Sequence, residues 1–123
     1  MLVASSGVEA ANMTTRFGFQ KMDAYQVAKQ LAVSVHRGKI KHTELRDQAE
    51  RAAVSAFLQL SEGLPNDSPG MRRRYFTIAR NSLCELVAAI DLASALGAHD
   101  ADAASAIEEL AGSLRGMLVA LLR

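Results

Sequence analysis

From Phe76 onward, Phe76, Ala79, Leu83, Leu86, Ile90 and Ala93 recur at spacings of 3, 4, 3, 4 and 3. A helix of 3.6 residues per turn places such positions on one face. The pattern therefore predicts a long helix over Pro69–Leu96, seated in a seam between other helices. A second row, offset by one residue, carries Tyr75, Ile78, Ser82, Glu85, Ala89, Leu92 and Leu96. Between Leu83 and Leu96 only Glu85, Asp91 and Ser94 are polar. A helix facing water has a broader polar face, so cover on more than one side is expected here.

Three further stripes repeat the pattern. Tyr25, Ala28, Ala32 and Val35, widened by Met22 and Leu31, predict a first helix over roughly Lys21–His36. Gly38, in Arg37-Gly38-Lys39, is its expected left-handed cap. Leu45, Ala49, Ala52, Ala56 and Leu60 predict a second helix over roughly Glu44–Glu62, with Thr43 as N-cap. The segment from Gly63 to Gly70 is a turn, and Ser68-Pro69 reads as N-cap and first helical position of the third helix. Ile107, Leu110, Leu114, Met117 and Leu121 mark a fourth helix, opened by His99 or Asp100. Four amphipathic helices on short links predict an all-α, antiparallel up-down-up-down four-helix bundle. Residues 1–19 lack periodicity and read as a flexible leader, ordered at most near Phe17 and Phe19; residues 20–123 form the bundle domain.

Composition narrows this picture. With 123 residues the chain is one domain that can bury a core without disulfides. Its apolar half is Ala, Leu and Val with few aromatics and no Trp, which suits close helix packing. Fourteen basic and thirteen acidic residues leave a net charge of +1. A dedicated nucleic-acid-binding domain usually has a strong basic excess, although a local patch remains compatible with this balance. Cys84 is the sole cysteine, so an intrachain disulfide is excluded. Met1–Met13 has neither a basic n-region nor a sustained apolar core, and no run approaches a membrane span. A cytoplasmic location without membrane association is expected.

Several residue groups then carry a resemblance: Arg51-Ala52-Ala53-Val54-Ser55, Glu62-Gly63, Ala79, Ser82-Leu83, Glu85-Leu86 and Leu96-Gly97, with Tyr25, Ala28 and Leu31-Ala32 on the first helix. Together they resemble the four-helix-bundle protein family of the 23S ribosomal RNA intervening sequences, to which the accessory variability determinant of diversity-generating retroelements is also related. Gln59 and Arg80-Asn81 depart from the usual family residues. The resemblance implies a small cytosolic bundle that assembles into a cyclic homo-oligomer, typically a pentamer, without known catalysis.

Candidate chemistry is sparse. Arg72, Arg73 and Arg74 fall in the first turns of the third helix, where free amides and guanidinium groups suit phosphate. With Arg80, and with Lys39 and Lys41 if these gather on the same face, they make a candidate nucleic-acid or anion site. Arg51, Ser55 and Glu62 on the second helix and Ser82 and Glu85 on the third form a candidate structural polar network. Neither Glu62 nor Glu85 has a second catalytic partner nearby in sequence. His36, His42 and His99 are dispersed and read as surface residues, without metal-ligand spacing. Cys84 reads as an inert small hydrophobe within the apolar third helix.

Apolar residues beyond the needs of one inward stripe are the last signal. Val54, Leu58, Ile78, Ala89, Leu92 and Leu96 are expected to line an oligomer interface. The expected function is a non-enzymatic, self-assembling scaffold that docks partners, with no cofactor or metal. The alternative is an accessory module that binds nucleic acid weakly through the basic patch, with nucleic acid or a nucleic-acid enzyme as its partner.

Overall fold

A computed structural model of the chain describes residues 17–123. The leader expected at 1–19 lies, up to residue 16, outside the described residues. A 3-10 turn at Gly18–Lys21 leads into four α-helices: α1, Asp23–Arg37; α2, Thr43–Gly63; α3, Pro69–Ala95; and α4, Ala101–Leu121. Among the described residues there is no strand. The chain is all-α, with four helices where four stripes were predicted.

One core joins all four. Leu31 and Val35 of α1, Leu60 of α2, Phe76, Leu86 and Ile90 of α3, and Leu114 and Leu118 of α4 are its large, fully buried side chains. Each contributes about 1.5–3 kcal/mol relative to exposure in water. In space α1 packs on α2 and α4, and α3 packs on α2 and α4, so the helices surround the core in chain order. The most extensive contact is between α2 and α3. Among their buried residues, α2 has Ala49, Ala52, Ala53 and Ala56, and α3 has Ala79, Ser82, Ala89 and Ala93. Small side chains let two backbones approach closely, and interaxial distance follows side-chain size.

Three contacts fix how α2 lies along α3. The backbone N–H of Lys41, just before α2, donates to the Ala98 carbonyl just after α3 at 2.7 Å. Midway, the Ser55 and Ser82 hydroxyls are 2.8 Å apart. At the far end Gly63 meets the Phe76 ring.

The ends follow local chemistry, with two corrections to the expected caps. The α2 N-cap is His42 rather than Thr43: its Nδ1 accepts from the Leu45 N–H at 3.2 Å. The left-handed residue after α1 is Lys39 (φ 54°), while Gly38 has helical angles (φ −73°). Gly38 is placed by crowding instead, because a β-carbon there would stand 3.0 Å from Nε2 of His99. Ser68 caps α3, accepting from the Met71 N–H at 3.3 Å, with Pro69 at the first turn as predicted. Gly97 (φ +71°) ends α3 in a Schellman motif, the Ala98 N–H donating to the Ala93 carbonyl and the Gly97 N–H to that of Ser94. Asp100 caps α4 through the Ala103 N–H at 3.0 Å.

Aromatic rings tie the entry segment to the helices. Phe17 stacks on Phe19, Phe19 meets the Tyr25 ring edge-on at 5.6 Å, and Tyr25 meets Phe57 of α2 at 5.0 Å. Such pairs add about 0.5–1.5 kcal/mol beyond their buried area.

Candidate interaction surfaces

Consecutive residues on a helix point about 100° apart, and the arginine run shows the consequence. Arg72 turns back onto the end of α2, where Nη1 donates to the carbonyls of Gly63 (3.1 Å) and Leu64 (2.6 Å). Its guanidinium also lies 5.0 Å from the centroid of the Phe76 ring. The last carbonyls of a helix lack intrahelical partners, so Arg72 serves as a side-chain cap for α2. That role removes it from the expected anion site. Arg73 and Arg74 are exposed, as is Arg80 two turns further along.

Lys39 and Lys41 do not join them. Their loop is held against Ala98, beyond the last turn of α3. The arginines occupy the first turns of that helix, which has 27 residues. At 1.5 Å per residue the helix spans about 40 Å. The two basic groups therefore sit at opposite ends of the molecule, and no single patch forms.

The expected polar network reduces to one bond. Ser55 and Ser82 pair across the α2–α3 seam, with Ser82 buried. Arg51, Glu62 and Glu85 are exposed, and among the described residues none is in an ion pair. Among the described residues the ion pairs are Arg46–Asp47 at 3.8 Å and, when the imidazole is protonated, His36–Glu50 at 3.5 Å. Both are surface contacts of small energetic weight.

The expected interface residues separate into three kinds. Val54, Leu58, Leu92 and Leu96 are exposed, the last two at 49% and 58%. Ile78 is half-buried. Ala89 belongs to the chain's own core and is not available to a partner. On α3 the exposed Glu85 lies between Ile78 and Leu92, so the apolar residues form two clusters with a polar middle.

Two single residues also depart from expectation. His99 is buried at 8% exposure where the α1–α2 and α3–α4 loops meet, rather than lying on the surface. Neither ring nitrogen has a partner among the described residues. Cys84 is exposed, on the side of α3 that faces α4. With Arg80, Asp91, Glu108 and Arg115 it borders a groove of about 600 Å³ between those two helices. Sequence periodicity had no signal for this groove: it depends on how far apart the outer edges of α3 and α4 stand.

The sequence model of the 23S rRNA-intervening sequence protein family matches residues 20–120, a span that takes in α1 to α3 and all but the last residue of α4. The chain belongs to the 23S rRNA-intervening sequence protein family. Among curated proteins none matches. In this family member the residues behind the resemblance are largely packing positions. Ala52, Ala53 and Gly63 of α2 and Ala79, Ser82, Leu83 and Leu86 of α3 are all buried. The exceptions are informative: Arg51, Val54, Glu62 and Glu85 are exposed on the two helices in closest contact, as are Leu96 and Gly97 just beyond the end of α3. Among the described residues no helix is long and apolar enough to cross a membrane.

Proposed function

We propose that this chain is a non-catalytic scaffold that assembles with copies of itself into a cyclic ring of five through the outer face of α2 and α3. The observation that carries the reading is the exposure of Val54, Leu58, Leu92 and Leu96 on the two most closely packed helices. Scattered single leucines on a surface need no explanation, but two clusters on adjacent helices are a candidate protein contact. The polar middle, with Arg51 and Glu85, gives that contact orientation rather than affinity. Family membership adds support, because the family resemblance implies ring assembly.

Short connections and the three contacts that align α2 with α3 favour helices alternating in direction around the core. Such a frame fixes the outer face of α2 and α3 as one rigid surface. A reducing cytoplasm is the location we assign, in keeping with a lone, exposed cysteine.

Nucleic-acid binding has less support, because Arg72 is engaged with α2 and Lys39 and Lys41 are at the other end. The test is the mass in solution of Leu58→Glu and Leu92→Glu chains. Each substitution places a charge in the contact, and in a head-to-tail ring one change recurs at every interface. Smaller species are expected from both; an unchanged mass in both overturns the reading.

A further inference from the structure

The groove between α3 and α4 has a charge order of its own, apart from the proposed ring contact. Its floor is apolar, with Leu83 and Ala111 buried and Val87 partly open. Asp91 and Glu108 lie within about one to two turns of the connection joining the helices, and Arg80 and Arg115 about four turns from it. The groove therefore has an acidic end and a basic end. Among the described residues none of these four charges is in an ion pair, and all four are exposed.

Gly112 on the floor adds a second, independent observation. It lies in the interior of α4, where glycine is the poorest helix former after proline. A β-carbon there would meet nothing within 4 Å, so no contact inside the chain requires glycine. A missing side chain at that place does let another backbone come close.

We propose that the groove is a two-fold contact between copies of this chain. Rotation by 180° about an axis that lies in the plane of the groove's mouth and crosses it at right angles lays the basic end of one copy on the acidic end of the other. Arg80 then faces the partner's Asp91 and Arg115 faces the partner's Glu108, and the two apolar floors cover each other at Gly112. A pattern with opposite charge at its two ends is self-complementary under this operation. Isologous pairing of this kind is the commonest form of protein self-association. The contact is on the α4 side of α3, away from Leu58 and Leu92, so it stands or falls separately from the proposed ring.

Charge exchange tests it. One full-length variant carries Arg80→Glu and Arg115→Glu, and a second carries Asp91→Arg and Glu108→Arg. All four positions are exposed, and circular dichroism on each variant verifies that the helices persist. Light scattering on the parent should give an even number of chains. Each variant alone should have half the parent's mass, since its groove repels its own copy. An equimolar mixture of the two should regain the parent's mass, because an all-acidic groove now meets an all-basic one. An odd-numbered parent, an unchanged mass in either variant, or a mixture that stays at half mass overturns the proposal. A parent of two chains supports the groove and overturns the ring, whereas a parent of five does the reverse.

Discussion

A β-carbon on Gly63 would stand 2.6 Å from Cε1 and 2.9 Å from Cδ1 of Phe76, and 3.1 Å from the Tyr75 β-carbon. The last residue of α2 therefore lies directly on the first core residue of α3. Phe76 is fully buried and cannot swing away without opening the core. Gly63→Ala is expected to destabilise the fold by about 1–3 kcal/mol, the usual cost of overpacking. Gly116 on α4 has nothing within 4 Å of an added β-carbon. Gly116→Ala should therefore raise stability by roughly 0.5–1 kcal/mol. Urea unfolding of both variants, compared at equal m-value, checks the opposite signs.

Arg72 and its neighbours should also behave differently. Arg72→Ala removes the donor to two carbonyls at the end of α2, with an expected loss of about 1–3 kcal/mol. Arg73→Ala and Arg74→Ala, both at exposed positions, should change stability by at most about 0.5 kcal/mol. Thermal melts of the three single variants decide this. Equal effects at all three sites would contradict the capping role.

Much of this molecule is legible in its sequence because helix geometry is a local property. Spacings of 3 and 4 mark out Phe76, Leu83, Leu86 and Ile90 before any neighbour is known, and all four are buried. Ser68-Pro69 and Leu96-Gly97 likewise carry their own backbone preferences. What the pattern misses depends on what stands opposite. Arg72 is an α2 cap only because the chain folds back to bring two carbonyls within reach. His99 is buried only because two loops meet over it. Cys84, inside an apolar run, is exposed because it lies on the side of α3 away from the core stripe, at the edge of the groove beside α4. Ala89 has the reverse history: it shares a row with Leu92 and Leu96, but it is buried in the chain's own core.

Core truncation should be costly on the central helix. Leu86 and Ile90 are both fully buried at 0% exposure. Leu86→Ala and Ile90→Ala are each expected to lower stability by about 2–5 kcal/mol, through lost transfer energy and the cavity left behind. Chemical denaturation measures the loss, and a Leu86→Ala chain as stable as the parent would contradict the core described here.

Nucleic acid should bind weakly if at all. Arg73 and Arg74 can neutralise few phosphates, and affinity that rests on few phosphates has a shallow salt dependence. Fluorescence anisotropy with a labelled RNA duplex should show binding that is lost on replacing Arg73 and Arg74 by Gln. Tight binding that survives both changes would place the nucleic-acid surface elsewhere on the molecule.

The exposed leucines of α2 and α3 carry the functional proposal, and the mass of the parent chain in solution tests it most directly. Multi-angle light scattering at micromolar concentration should give ten chains where the ring and the groove contact both form, and five where the ring forms alone. The same measurement on Leu58→Glu and Leu92→Glu should give smaller species, or insoluble protein where the separated chain is unstable. A strict monomer of the parent would contradict the interface on α2 and α3, and a dimer would contradict the ring.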